Sequence, residues 1–182
     1  MTEDARESVG RLIGAAARDV IFTSGGTESN NAAIFGALPQ GGSHHIVTTA
    51  IEHPSVSEAV GEWGRRGNRV TRIPPLSSGE VPAAAVIDAI EPETRLVTVM
   101  LANNEPGVIQ PVAEIARACR ERGFHFHCDA VQGAGKIKID VDEVGCDTLS
   151  MSAHKMHAPK GVGALYVRRG LTLSSHIVGG AQ

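Results

Sequence analysis

The sequence contains few aromatic residues, no strong excess of charge and no long apolar run. Only 3% of its 182 residues are aromatic, so we expect aliphatic side chains and alanine to build the core. No apolar run approaches the roughly 20 residues that a bilayer-spanning helix needs, and the first ten residues are too polar for a signal peptide, so we expect no membrane partner. With 17 basic and 20 acidic residues, the net charge of -3 gives no electrostatic reason to expect nucleic-acid binding.

Cysteines are also scarce, and their spacing argues against the usual cysteine-based sites. Cys119, Cys128 and Cys146 lie far apart and form no CxxC pair, so we expect neither a disulfide framework nor a structural zinc site. A chain of this kind is expected in the reducing cytoplasm. His125 and His127 lie close to Cys128 in sequence, but on a strand the two histidines point to one face and the cysteine to the other. We therefore predict no metal site.

Short apolar segments alternate with amphipathic ones along the whole chain. The pattern predicts strands over residues 20–23, 46–49, 70–73, 96–101, 125–128, 148–152 and 163–167, and helices over 4–14, 27–35, 54–63, 83–90 and 112–122. Such alternation is typical of an α/β protein with a mostly parallel sheet and helices on both faces. The polar clusters of the sequence fall at the carboxyl ends of these strands, where open α/β sheets bind ligands.

A glycine-rich loop follows the first predicted strand, at residues 24–31 (SGGTESNN). Its glycines let backbone amides approach a bound anion, and the helix that begins there points its positive end at the same place. Thr27 is expected to cap that helix and to offer its hydroxyl to a phosphate oxygen. An ordinary tight turn with a capped helix is the alternative interpretation of the loop taken alone. The loop matches neither the P-loop nor the GxGxxG pattern.

A lysine and an aspartate carry the strongest chemical signal. Lys155 directly follows a short polar turn, where its amine can form a Schiff base with a carbonyl cofactor. Asp129 ends a predicted strand, where a buried carboxylate can hold a protonated ring nitrogen. Enzymes that use pyridoxal phosphate (PLP) require both groups, because together they make the cofactor an electron sink. Lys160 follows a proline in a predicted turn, and we interpret it as a surface charge.

Five motifs in a fixed order resemble those of a known family. They occupy residues 24–31 (SGGTESNN), 52–55 (EHPS), 103–107 (NNEPG), 127–132 (HCDAVQ) and 152–155 (SAHK). This series is similar to the signatures of the class V aminotransferase group of fold-type I PLP enzymes. Within that group it resembles cysteine desulfurases and the related selenocysteine lyases. The resemblance implies a three-layer large domain that binds PLP.

The same resemblance implies a set of residues around the phosphate and the aldehyde of the cofactor. Gly26 and Thr27 would hold the phosphate at the start of the helix. Ser152 and His154 would be further phosphate ligands. Lys155 would bind the cofactor covalently through its amine.

A second group of residues would surround the cofactor ring, again by resemblance. His53 would stack on the ring and move protons during catalysis. Asp129 would pair with the pyridine nitrogen and keep it protonated. Asn104 and Gln132 would lie near the phenolic oxygen, with Gln132 donating a hydrogen bond to it.

The implied reaction removes sulfur from L-cysteine and gives alanine and an enzyme persulfide. A sulfur-acceptor or scaffold protein, a homodimer and a role in sulfur metabolism such as iron–sulfur cluster assembly are implied with it. Three alternatives remain open: a selenocysteine lyase, another class V lyase or aminotransferase, and an inactive PLP-binding or interaction module.

Compared with the family pattern, residues 1–182 are expected to be a PLP-binding large domain truncated at both ends. Residues 179–182 (GGAQ) resemble the start of a further family motif. The small C-terminal domain would be absent, and with it the nucleophilic loop cysteine and an arginine that binds the substrate carboxylate. We do not expect Cys119, Cys128 or Cys146 to replace that nucleophile, because none lies in an exposed mobile loop.

Overall fold

The computed structural model describes residues 2–38, 41, 43–175 and 177–179. Residues 180–182 of the C-terminal motif lie outside this part of the chain. Within the described residues, no helix combines the length and the apolar character that crossing a bilayer requires.

One mixed sheet forms the centre of the molecule. Its seven strands within the described residues lie in the order β1-β7-β6-β5-β4-β2-β3. The strands are β1 (Val20–Thr23), β2 (His45–Thr49), β3 (Arg69–Ile73), β4 (Thr94–Met100), β5 (His125–Asp129), β6 (Thr148–Ser152) and β7 (Gly163–Val167). Strands β3, β2, β4, β5 and β6 pair in parallel, whereas β7 is antiparallel to both of its neighbours. Every predicted strand is confirmed.

Helices connect most of the strands and match the predicted segments. They are α1 (Thr2–Ile13), α2 (Gly26–Ala37), α3 (Pro54–Arg65), α4 (Ala83–Asp88), α5 (Val112–Arg122) and α6 (Val141–Val144). The pattern of apolar residues missed α6, because four residues are too few to establish a helical period. Asp140 caps this helix, accepting hydrogen bonds from the backbone amides of Asp142 and Glu143.

The core lies on both faces of the sheet, as predicted. Neighbouring residues on a strand enter different clusters: Ile46 packs with the residues of α2 and α3, and Val47 packs with those of α1, α4 and α5. Leu96 and Val97 divide in the same way on β4. Since successive side chains of a strand point to opposite faces, the two clusters must cover opposite sides of the sheet. This explains why β2 is buried along its whole length.

The sheet brings the carboxyl ends of six strands to one edge. Two successive antiparallel pairings, β6 with β7 and β7 with β1, leave β1 pointing in the same direction as the parallel strands. The loops that follow Thr23, Thr49, Met100, Asp129 and Ser152 therefore emerge at the same edge. All five motifs lie at these strand ends. Motif 24–31 begins directly after Thr23, and motifs 52–55 and 103–107 each begin three residues beyond the end of their strand. Motifs 127–132 and 152–155 begin within β5 and β6 and continue into the loops that follow.

Gly163, the first residue of β7, lies very close to the backbone of the glycine-rich loop. It pairs with both Thr23 and Ser152, and a Cβ atom built on it would lie 2.6 Å from the Gly25 carbonyl carbon. We expect Gly163→Ala to lower the free energy of unfolding by about 1–3 kcal/mol, because the glycine loop would have to move. Urea denaturation measures this change.

Gly64→Ala is the matched control for that substitution. Gly64 lies inside α3, where an added Cβ would meet Val70 Cγ2 at an ordinary 3.5 Å. Alanine is the better helix former by about 0.5–1 kcal/mol, so this variant should be at least as stable as the wild type. Equal stability of the two variants would contradict the close approach at Gly163.

Candidate active site

A cavity of about 180 Å³ opens at the carboxyl edge of the sheet. All nine residues that the sequence singles out as catalytic or cofactor-binding line it, and they come from five separate loops. The lining residues are Gly26, Thr27, His53, Ser55, Met100, Asn104, Asp129, Val131, Gln132, Ser152, His154 and Lys155.

The N-terminus of α2 faces this cavity without a side-chain cap. The prediction that Thr27 caps the helix is wrong, because the helix begins one residue earlier than expected and Gly25 takes the N-cap position. The N-cap residue provides no side-chain acceptor for the amides of the first turn, so these amides keep their capacity to bind an anion. Gly26 is needed for the close fit, since a Cβ there would lie 2.7 Å from Val131 Cγ2.

Lys155 lines the same cavity, at the end of a single 3₁₀ turn (Ala153–Lys155) that follows β6. The Ala153 amide donates to the Val162 carbonyl at 3.0 Å, which fixes the turn to the start of β7. Lys155 is half-buried, whereas Lys160 is exposed as predicted.

Ser152 precedes this turn and His154 lies within it. The Ser152 hydroxyl and Nδ1 of His154 lie 2.8 Å apart, so these two predicted phosphate ligands are hydrogen-bonded to each other. Ser152 is fully buried at the end of β6, and His154 is exposed.

Asp129 ends β5 and is only 4% exposed. Its Oδ2 accepts a 2.7 Å hydrogen bond from Asn30 Nδ2, and its Oδ1 accepts a 3.0 Å bond from the Val131 backbone amide. Burial raises the pKa of this carboxyl, and the two hydrogen bonds and nearby His53 oppose that rise. A cation placed beside Asp129 in the cavity would therefore be strongly stabilised.

Asn30 is a site residue that the sequence analysis did not identify. Its amide nitrogen donates a second hydrogen bond, to the Ser55 hydroxyl at 2.8 Å. The Ser55 hydroxyl and backbone amide lie 2.8 and 3.1 Å from Nδ1 of His53. Since the amide can only donate, Nδ1 of His53 is an acceptor and a neutral His53 ring carries its proton on Nε2. Asn30 therefore connects Asp129 to His53.

The two residues predicted near the phenolic oxygen lie at the cavity wall. Asn104 is exposed, and its turn is held by buried Asn103, whose Nδ2 donates to the Ile51 carbonyl at 3.0 Å. Gln132 is half-buried, and its Oε1 accepts a 2.9 Å bond from Lys136. The amide nitrogen of Gln132 is thus the atom of this side chain that can still donate a hydrogen bond.

Glu52 is a second buried group that the sequence analysis left without a role. Its Oε1 accepts hydrogen bonds from the Thr49 hydroxyl at 2.6 Å and from the Met100 amide at 2.9 Å, so it ties the end of β2 to the end of β4. Its Oε2 has no partner among the described residues. Burial raises the pKa of Glu52 to about 8, and the two hydrogen bonds only partly offset this effect.

The three cysteines lie away from the cavity and are buried. Burial raises the pKa of Cys119 and Cys146 to about 12, and it also raises that of Cys128. Their thiols are therefore protonated near neutral pH and are poor nucleophiles. Among the described residues, no three His, Cys, Asp or Glu side chains form a metal-binding cluster.

The buried carboxyl of Glu52 generates a prediction for stability. Because its pKa is about 8 in the folded state and near 4.5 in the unfolded chain, the folded state holds a proton that the unfolded state releases. Its contribution to the free energy of unfolding is therefore full below about pH 4.5 and declines as the pH rises toward 8. Glu52→Gln, which does not titrate, should show a smaller decline in urea denaturation measured across this range.

Glu58→Gln is the control, since Glu58 is an exposed carboxyl on the adjacent helix α3. It should keep the pH dependence of the wild type. Wild-type and Glu52→Gln curves that run parallel from pH 5 to 8 would show that Glu52 is ionised in the folded protein.

Comparisons with known proteins agree with this geometry. The model of the aminotransferase class-V family matches residues 1–181. Cysteine desulfurase IscS from Anaeromyxobacter dehalogenans (strain 2CP-C) is 51% identical over 169 residues, which cover 92% of this chain and 42% of that protein. The solved structure of SspA in complex with cysteine has a TM-score of 0.95 at 41% identity and covers 99% of this chain and 53% of that one. DndA from Streptomyces lividans gives a TM-score of 0.91 at 42% identity, with 99% and 53% covered.

The chain thus spans about two fifths of the length of the curated relatives that it matches. Its sheet matches those of the solved cysteine desulfurase-like structures, and the cysteine desulfurases of this family use PLP as their cofactor. The resemblance drawn from five motifs is confirmed: this chain belongs to the class V aminotransferase family.

Proposed function

We propose that this chain binds PLP and provides the cofactor-binding part of a cysteine desulfurase. The observation that carries the proposal is the position of Lys155 and buried Asp129 in one cavity with an uncapped helix N-terminus. An amine, a buried carboxylate and an anion site are the three groups that a phosphorylated pyridine aldehyde requires.

The phosphate end of the cofactor fits the wall formed by α2 and the turn after β6. The helix offers first-turn amides and a positive dipole end, and Thr27 adds a hydroxyl. Ser152 and His154 line the same wall, and with Gly26 they complete the set of proposed phosphate ligands.

Asp129 and His53 would hold the ring of the cofactor. We assign Asp129 to the pyridine nitrogen, because a buried carboxylate without a cation is costly and a protonated nitrogen would relieve that cost. We assign His53 to the ring face, with Nε2 as its proton-carrying atom. The amide nitrogen of Gln132 and the side chain of Asn104 are assigned to the phenolic oxygen.

When bound, PLP supplies an electron sink for bonds broken at the substrate α-carbon and β-carbon. Lys155 would hold the cofactor through Nζ, and Nε2 of His53 would be placed to move a proton. We propose L-cysteine as the substrate, and SspA, a structural neighbour, has been solved in complex with cysteine. Breaking the Cβ–S bond and forming an S–S bond then yields alanine and a persulfide.

The thiolate that accepts the sulfur is proposed to come from a cysteine other than Cys119, Cys128 and Cys146, since all three are buried and protonated. A homodimer, a sulfur-acceptor protein and a cytoplasmic location complete the proposal, and similarity to cysteine desulfurases supports them.

Reductive trapping tests the proposal directly. The purified chain is mixed with PLP, its visible absorption is recorded, borohydride is added and the modified lysine is mapped by mass spectrometry. We expect one phosphopyridoxyl adduct, on Lys155, because Lys155 is the lysine that lines the cavity. Lys155→Ala should abolish the visible band and the adduct.

Lys160→Ala is the matched control, since Lys160 is a nearby exposed lysine. The Lys160→Ala variant should give the same phosphopyridoxyl adduct on Lys155 as the wild type. Adducts scattered over surface lysines, or no visible band in the wild type, would contradict PLP binding by this chain.

Thiol accessibility tests the assignment of the nucleophile. In the folded chain at pH 8, we expect iodoacetamide to modify Cys119, Cys128 and Cys146 only slowly, because burial keeps their thiols protonated. Addition of urea should make all three react rapidly. Rapid, stoichiometric labelling of one cysteine in the folded chain would make that residue a candidate for the persulfide carrier.

A further inference from the structure

A row of buried polar side chains extends from Asp129 away from the cavity. Asn30 Oδ1 lies 3.0 Å from Nε2 of His127, and Nδ1 of His127 lies 2.9 Å from the Thr148 hydroxyl. The same hydroxyl lies 3.0 Å from Nε2 of His125. Asn30, His127 and Thr148 are fully buried, and none of them is assigned a role in the proposed chemistry.

Counting donors and acceptors gives every hydrogen bond in this row a direction. The amide nitrogen of Asn30 donates to Asp129, so its oxygen faces His127 and must accept a hydrogen bond from Nε2–H of His127. A neutral imidazole protonated at Nε2 has an accepting Nδ1, so the Thr148 hydroxyl must donate to it. The hydroxyl then accepts from Nε2 of His125. Each proton in the row is directed toward Asp129.

The surroundings keep His127 neutral, as this direction requires. Burial, with a smaller contribution from nearby His125, lowers the pKa of His127 to about 3. On the two flanking strands, its register partners are Thr98 on β4 and Thr148 on β6, and neither carries a charge. Asn30 on α2 is also neutral, so within the described residues His125 is the titratable group that acts on His127.

We propose that Thr148, His127 and Asn30 form a positioning relay that holds the Asp129 carboxylate ionised and turned toward the cavity. Charge-assisted hydrogen bonds are the strongest kind, and a row in which all donors point one way polarises its last member. The relay fixes the Asn30 amide, which otherwise has two orientations, so that its nitrogen faces both Asp129 and Ser55. The relay itself does not depend on the proposed function. Only its effect on a cofactor, whose ring nitrogen an ionised Asp129 would keep protonated, rests on that proposal.

The relay is tested first in the chain without cofactor, by NMR of labelled histidine and aspartate side chains. We expect ¹⁵N shifts of His127 that show a proton on Nε2 and a bare Nδ1 from pH 5 to 8. We also expect Thr148→Val, which removes the donor to Nδ1, to mix the His127 tautomers. The titration midpoint of the Asp129 carboxyl should then rise, because Asn30 is no longer held as a donor. The titratable neighbours Glu52 and His53 are unchanged in this variant.

Thr98→Val is the matched control for Thr148→Val. Thr98 flanks His127 on the opposite strand and is equally buried, but its hydroxyl has no partner among the described residues. It should leave the His127 tautomer and the Asp129 midpoint as in the wild type. Thr148→Ser, which keeps the hydroxyl, should restore both signals.

Two results would overturn the relay. One is a wild-type His127 with its proton on Nδ1, which needs no variant and is independent of folding defects. The other is a Thr148→Val protein whose Asp129 midpoint matches that of Thr98→Val.

Loading with PLP separates this inference from the proposed function. If both hold, Thr148→Val should weaken PLP binding by about tenfold, the loss expected for one charge-assisted hydrogen bond, while Thr98→Val binds normally. A wild type with the expected His127 tautomer but no adduct on Lys155 would overturn PLP binding and leave the relay standing.

Discussion

A carboxylate placed in an apolar interior is the constraint around which this site is built. Asp129 ends a strand whose Phe126 and Cys128 lie in the hydrophobic core, and it has almost no contact with solvent. Such a group is tolerated only when hydrogen bonds and an opposite charge compensate for lost hydration. Asn30 and the Val131 amide provide the hydrogen bonds, and the cavity leaves room for the charge. The positions of α2, of His53 and of the row behind Asn30 all follow from this requirement.

The sheet supplies the rigidity that this arrangement needs. Five parallel strands fix where their loops begin, and buried side chains then tie the loops to one another. Glu52 joins the ends of β2 and β4, and Asn103 holds the loop after β4 against the Ile51 carbonyl. His53 and Asn104 are themselves exposed, so their positions are set by these buried neighbours and not by their own packing.

The strands, the five longer helices and the composition of the cavity were predictable from sequence, because apolar periodicity and family motifs are local signals. The roles of Asn30, Ser55 and Glu52 were not. Asn30 meets Asp129 across 99 positions of sequence, and no local pattern reports such a contact. The prediction that Thr27 caps α2 was wrong because the helix begins one residue earlier than expected, which places a glycine at the cap position. The truncation and the residue roles in cofactor binding remain predictions, since the chain covers 42% of its curated relative.

The position of β1 has a consequence for the order in which the protein can fold. Within the described sheet β1 pairs only with β7, so Val20 finds its partner Tyr166 near the other end of the chain. The glycine loop is carried by β1, and contacts between such distant segments form slowly because loop closure is entropically costly. During synthesis the parallel strands from β2 to β6 are complete before β7 emerges. The anion-binding wall is therefore expected to assemble last, onto a sheet that already presents Asp129.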